Sequence, residues 1–238
     1  MIKTEFYRIT TDTDTVTPRY AVPPSYDRKA ANAQGKLRFD QFPDFEPRFS
    51  DLYIETNTPT DFIYDGGAIA GYGFILSGRA KKIFESSGAP NVRFYPLNMR
   101  FFKEGGGVKM TDAPPLSGET WYMQIIRPSF ETWVDYDKSV FERVIEKTGE
   151  RTPLNPDGPE ELSQLIGTRV FPDYNDVVRL YLHPPSPADV AVFHLWPMRL
   201  SGGSLPIISA GLKAKLEAEN ISGYVLHPLP EKAIIAEI

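Results

Sequence analysis

The chain has 238 residues, a formal net charge of −5 and no cysteine. Without thiols it has no disulfides, zinc–thiolate sites, iron–sulfur clusters or cysteine nucleophiles. Its acidic balance speaks against direct nucleic-acid binding, which needs a basic face, and suits either a basic protein partner or simple solubility. Hydrophobic residues make up 41% and charged residues 24%, an ordinary globular composition in a chain long enough to bury about 70–75% of its unfolded surface without staples.

The opening "MIKTEFYRIT" has no apolar stretch of the signal-peptide kind, and no run reaches the length of a membrane span. The expected compartment is the cytoplasm, with no membrane partner. Thr4–Thr10 alternates as a strand does. Residues 11 to 50 are polar and rich in proline, with Phe39, Phe42, Phe45 and Phe49 spread among them. Those rings require burial, so residues 1–55 are expected to form a Pro- and aromatic-rich segment packed on the rest of the chain. There are 22 prolines, some in doublets (Pro23-Pro24, Pro114-Pro115, Pro184-Pro185). They punctuate a loop-rich fold and argue against a helical bundle.

In "TDFIYDGGAIAGYGFILS", Phe62–Tyr64 reads as extended, and Gly66, Gly67, Gly71 and Gly73 as tight turns. Their spacing matches neither the phosphate-cradling G-x-x-x-x-G-K-[ST] loop nor G-x-G-x-x-G.

The next stretch, "ILSGRAKKIFESSGAPNVRFYPL" from Ile75, aligns without a gap to "IISAGLKAKLEAENISGYVLHPL" from Ile207, with six of 23 positions identical. Each copy reads as strand end, serine, helix, break, strand and Pro-Leu. Ser77 and Ser209 sit where a helix N-cap belongs, with an oxygen to accept a first-turn N–H. Helices are expected at Gly78–Ser87 and Ala210–Glu219. Ala80, Ile83 and Phe84 form a buried stripe at i, i+3, i+4; Leu212, Lys215 and Leu216 match it, with Lys215 the weak member. Gly88 and Asn220 fall at the same helix stop, which favours the left-handed conformation. Strands follow at Asn91–Pro96 and Gly223–Pro228. Helices of about ten residues are not stable alone, so each unit is a scaffold piece that packs on a sheet. A Ser-x-x-Lys dyad needs the lysine three residues after the serine, but Lys81 and Lys213 each follow by four.

Further on, Trp121–Ile126 and Trp133–Tyr136 read as strands, residues 148–159 as a turn-rich loop, and Glu160–Ile166 as one or two helical turns. Arg179–Leu182 and Val190–Pro197 read as extended. In "FPDYNDVV", Asp173, Asn175 and Asp176 lack the glycine and glutamate of a calcium loop and read as a polar turn capping a short helix. His183, His194 and His227 lack metal-ligand spacing; they read as packed or hydrogen-bonded core histidines, with no metal and no cofactor expected. Asp135, Asp137 and Lys138 in "VDYDKS" read either as a self-bonded turn or as an acidic contact surface.

The first repeated unit, then "YMQIIRPSFETWVDYDKSVFE", "AVFHLWPMR" and the second unit together resemble the Imm11 family (formerly DUF1629), immunity partners of bacterial polymorphic toxins. The likeness covers about residues 60–230. It rests on a Val-Asp-x-x-Lys-Ser step (Val134, Asp135, Lys138, Ser139) and on a late pattern at Ile207, Ser209, Leu212, Leu216, Ile221, Gly223 and Pro228. The resemblance implies a chain that binds and neutralises a cognate protein toxin, and it carries no catalytic residues with it. The expected fold is a single α+β domain over 1–238, mostly short strands with short helices, containing two similar strand-helix-strand units at about 75–97 and 207–229. The candidate toxin contacts are Tyr72, Asp135, Tyr136, Asp137, Asp173, Tyr174 and Asp176, with Trp133 weighed between interface and core. The alternative is a small hydrolase or transferase using carboxylates with His183 or His194. A homo-oligomeric structural protein is a third possibility.

Overall fold

The computed structural model describes residues 3–13, 26–55, 59–63, 69, 73–102, 109, 112–167, 173–200, 205–230 and 233–237. In chain order the elements are β1 (Lys3–Thr4), β2 (Phe6–Thr11), β3 (Leu52–Ile54), β4 (Phe62–Ile63), β5 (Gly73–Ser77), α1 (Gly78–Glu85), β6 (Val92–Leu97), β7 (Met99–Phe101) and β8 (Thr120–Ile125). Then follow β9 (Val140–Val144), β10 (Arg151–Leu154), α2 (Pro159–Gly167), β11 (Tyr174–Leu182), β12 (Val192–Phe193), β13 (Arg199–Leu200), β14 (Ile207–Ser209), α3 (Ala210–Ala218), β15 (Tyr224–Pro228) and β16 (Ile234–Glu237). The fold is α+β, as expected. Among the described residues no helix is long and apolar enough to cross a membrane. Tyr72, Gly66, Gly67 and Gly71 lie outside the described residues, and Gly73 opens a strand instead of a turn.

The two repeated units build two sheets of the same design. One has the order β4-β5-β8-β6 and the other β12-β14-β2-β15, with every neighbouring pair antiparallel. The registers correspond residue for residue. Tyr95 faces Tyr122 where His227 faces Arg8, and Phe94 faces Met123 where Leu226 faces Ile9. The central strand, however, comes from a different place in each half. It follows the unit as β8 in the first half and opens the chain as β2 in the second. The correspondence extends to side chains: Lys81 stands 4.2 Å over Trp121 and Lys213 stands 5.1 Å over Tyr7.

The helix signals act as read. The Oγ of Ser77 accepts from the Ala80 N–H at 3.2 Å, and that of Ser209 from the Leu212 N–H at 3.3 Å. The chain leaves both helices through left-handed backbone, φ 67° at Gly88 and 50° at Asn220. The buried stripes Ala80, Ile83, Phe84 and Leu212, Leu216 meet one face of both sheets, including Phe62, Leu76, Met123, Ile9 and Ile208. Fully burying each large apolar side chain there contributes about 2 kcal/mol, which is why such short helices persist. Lys215 points outward instead, and its Nζ donates to the Ser86 carbonyl at 3.3 Å. The halves are also cross-tied. The edge-strand Phe62 N–H donates to Ser222 O at 3.0 Å, and Asn91 Nδ2 to Val192 O at 2.7 Å.

Beside these halves lies a six-stranded sheet, β1-β16-β11-β9-β10, with β13 paired to the start of β11. Its core includes Phe130, Phe141, Val177, Leu180, Met198 and Ile234. A third core beneath residues 26–55 joins Leu37, Leu52 and Ile54 to Ile75, Tyr95 and Tyr122. The aromatic segment therefore packs where its described part can be followed, with Phe49 centred 5.9 Å from Tyr95 and 5.7 Å from Tyr122.

Several expectations are corrected. Trp133–Tyr136 is not a strand: a 3-10 turn over Phe130–Trp133 leads to a single bridge, Val134 with Leu182. The turn forms because Phe130 must reach the core. The loop at 148–159 contains β10, paired along β9 with Pro153 on the open edge, where a missing N–H costs no ladder bond. Of the expected polar turn, Asn175 and Asp176 lie in the first half of β11, a strand of nine residues, and Asp173 just precedes it. Val190–Pro197 contributes only the two residues of β12.

Candidate functional site

The Val134–Ser139 segment is held against the end of β11. The Asp135 N–H donates to Tyr181 O at 3.0 Å, and Tyr181 N–H donates to Ser139 Oγ at 3.0 Å. Asp135 closes the turn on itself, accepting Lys138 N–H at Oδ1 at 3.2 Å and Ser139 N–H at its carbonyl at 3.0 Å. This is the aspartate-initiated turn that a short carboxylate favours. The turn in "VDYDKS" is thus self-bonded.

The outer side of that turn is charged. Asp135 Oδ2 lies 2.7 Å from Lys138 Nζ and 3.4 Å from His183 Nε2. His183 Nδ1 lies 4.0 Å from Glu237 Oε2. Lys138 holds the Asp135 carboxyl below the ordinary carboxylate range, and His183 adds to the shift. Lys138 and His183 are about half exposed while Asp135 is 16% exposed, so the carboxylate anchors two groups that face solvent. Asp137 is exposed. Tyr136 is half-buried against the six-stranded sheet's core, donates to Glu131 O at 2.7 Å, and has its phenol pushed up to about 12, mainly by burial. Trp133 is part of the same packing.

Glu131 extends the site. Together with Arg127, Ser129, Thr132 and Glu160 it lines an open recess of about 610 Å³ between the 3-10 turn and the start of α2. Its carboxylate pairs with Arg127. The sequence reading missed Arg127 and Glu131; their four-residue spacing is the one signal that pointed to them.

The other candidates are elsewhere. Asp173, Tyr174 and Asp176 sit at or just before the start of β11, about 17 Å or more from Tyr181 at the rise of an extended strand. Arg199 stacks 3.8 Å from the Tyr174 ring centre, and Asp173 is half-buried. Asp176 is 0% exposed and lies 3.3 Å from Arg151 Nη1, which also meets Glu142 at 2.8 Å. Its assignment as a contact residue is corrected: it is a buried acid supporting an arginine. Asn175 ties β11 to the end of α2 through Leu165 O at 2.7 Å.

The histidines divide three ways. His194 is fully buried, which removes it from any surface chemistry. Ile125 O lies 3.1 Å from its Nε2, and Trp196 N–H donates to its Nδ1 at 3.2 Å, which assigns the Nε2–H tautomer. Burial drives its pKa down to about 4. His227 is exposed on β15 and not packed, 3.2 Å from Thr10 Oγ1. Among the described residues, His183 is the one histidine that stands beside a carboxylate at the surface.

The serine–lysine pairs hold no dyad, because Ser77 and Ser209 are caps and Lys81 and Lys213 pair with Glu85 and Glu217. Among the described residues no group of three His, Asp or Glu side chains is placed to hold a metal ion. What the Asp135 region presents is a rigid turn with mixed charge beside a polar recess. No family model and no curated protein matches the chain.

Proposed function

We propose that this chain is an immunity protein that binds a cognate bacterial toxin in the cytoplasm and neutralises it by stoichiometric contact. The carrying observation is the Asp135–Ser139 turn, whose backbone is pinned to β11 while Lys138 and His183 face outward from one carboxylate. A surface already ordered loses little entropy on binding. The same residues carry the resemblance to the Imm11 family. A stable complex would bury on the order of 1,600 Å² in total.

The test is co-expression with the product of the adjacent gene. A toxin held in a one-to-one complex, with growth restored, supports the reading, as does weakened protection by Asp135→Ala. A neighbour that is harmless, or toxic without forming a complex, overturns it. The 3.4 Å approach of His183 to Asp135 favours one second reading, a hydrolase or transferase with His183 as general base. Turnover abolished by His183→Ala would select it over the binding role.

A further inference from the structure

The residue-for-residue match of the two four-stranded sheets shows one surface covered by the chain itself, while among the described residues no segment crosses its counterpart in the same way. In the first sheet, Tyr122, Gln124, Arg93 and Tyr95 share the face away from the helices. The chain's own residues 38–49 lie across them. Gln124 Nε2 donates to Arg38 O at 2.7 Å and to Gln41 O at 3.3 Å. Arg93 donates to Pro43 O at 3.2 Å and stacks 4.4 Å from the Phe42 ring centre, and Phe49 packs against both tyrosines. The sheet side chains thus hold an extended segment by its carbonyls and its rings. Tyr122 and Gln124 are at most 1% exposed as a result.

The corresponding positions of the second sheet are Arg8, Thr10, Val225 and His227. There His227 is exposed where Tyr95 is buried, and Arg8 and Thr10 are half-buried where Tyr122 and Gln124 are buried, while Val225, 38% exposed, is open as its counterpart Arg93 is. Among the described residues the Arg8 Nε is buried and has no hydrogen-bond partner. Among the described strands β15 lies at the edge of its sheet, paired to β2. Two tyrosines of the covered face are replaced by an arginine and a histidine, so the same geometry now selects for negative charge.

We propose that Arg8, Thr10, Val225 and His227 form a docking surface for an extended segment of a partner protein that carries carboxylates and an aromatic ring. Arg8 and His227 take the carboxylates or carbonyls, and Val225 supports the ring where Arg93 supports Phe42. A second copy of this chain is the poorer occupant. A two-fold contact through β15 is self-complementary by symmetry and sets Arg8 and His227 near their own copies. This surface is separate from the Asp135 turn and does not depend on the toxin-binding reading.

The experiment selects displayed random peptides of twelve residues, the length of the 38–49 cover, on the intact protein. Enriched peptides are then measured by fluorescence anisotropy. The expected peptides combine acidic and aromatic positions. They lose roughly tenfold or more in affinity on the Val225→Asp, His227→Glu double variant and weaken with added salt. The Val225→Lys variant, which keeps the sign of the surface, retains them and serves should the acidic pair fail to fold. The proposal is overturned if no peptide is enriched, if those enriched lack carboxylates, if they bind the acidic variant as well as the original, or if Val225→Lys abolishes binding. A dimer in solution that Val225→Asp dissociates overturns it as well.

Discussion

Arg79, in the first turn of α1, donates from its guanidinium to the carbonyl of Glu219 at the end of α3 at 2.8 Å. In the other direction, Lys215 of α3 reaches the Ser86 carbonyl at the end of α1. Each repeated helix thus supplies a cation to the carbonyl end of the other, where the helix dipole favours positive charge. Arg79→Ala and Lys215→Ala should each lower stability by about 0.5–1 kcal/mol. Urea unfolding should show an unchanged slope with an earlier midpoint for both.

Asp61 should matter more than either cation. Its carboxylate accepts from Ser77 Oγ at 2.6 Å, from Ser222 N–H at 3.1 Å and from Ser222 Oγ at 3.2 Å. It thereby joins the cap of α1 to the segment after α3. Asp61→Ala should cost about 1.5–3 kcal/mol, the range for hydrogen bonds to a charged group. Asp61→Asn should recover part of that loss, because one amide oxygen still accepts. Differential calorimetry on the two variants separates these outcomes.

Gly223 is the third sensitive position. Its φ is 84°, and a Cβ there would come within 2.4 Å of Phe62 O and 2.6 Å of Thr60. Gly223→Ala should destabilise by about 2–4 kcal/mol, since backbone strain and a backbone clash add. Asn220→Gly, at φ 50° and without that clash, should change stability by less than about 1 kcal/mol. Equal effects at the two sites in a thermal melt would contradict this account.

His194 sets a pH dependence. Its folded pKa is lowered to about 4 against about 6.5 in the unfolded chain. The unfolded state therefore binds the proton first as the pH falls. The stability from keeping His194 neutral is complete above pH 7 and declines as the pH drops from about 6.5 towards 4. Between pH 7 and 5.5 the loss should be about 1 kcal/mol. Chemical denaturation across that window should show the slope in the original protein and lose it in His194→Gln.

The repeated units were legible because their signals are local. A serine before the helix, an apolar stripe and a Gly or Asn stop act within one or two turns, and Ser77, Ser209, Gly88 and Asn220 all do what the spacing predicts. Strand readings failed where tertiary pairing outweighed local character. Tyr174–Val178 looks like a turn by composition, yet it is a strand because β9 and β13 pair with it. Trp133–Tyr136 looks like a strand, but Phe130 and Val134 turn the backbone into the core. Of the candidate contacts, Asp135, Tyr136 and Asp137 are neighbours in the chain and remain together. Asp176 reads in sequence as a surface acid because burial beneath Arg151 leaves no trace in local pattern.

Composition and periodicity alone determined an α+β chain without thiol chemistry, with two strand-helix-strand units and their caps and stops. These follow from hydrogen bonding and side-chain spacing within a few residues. Only the tertiary structure decided that the two units take their central strands from opposite sides of the sequence, β2 before one and β8 after the other. It also decided that the two ends of β11 hold separate polar surfaces and that residues 38–49 cover one sheet, with no matching cover on the other among the described residues. Such pairings join residues far apart in the chain. They are chosen by which apolar faces can be buried together, a condition that no short window of sequence contains.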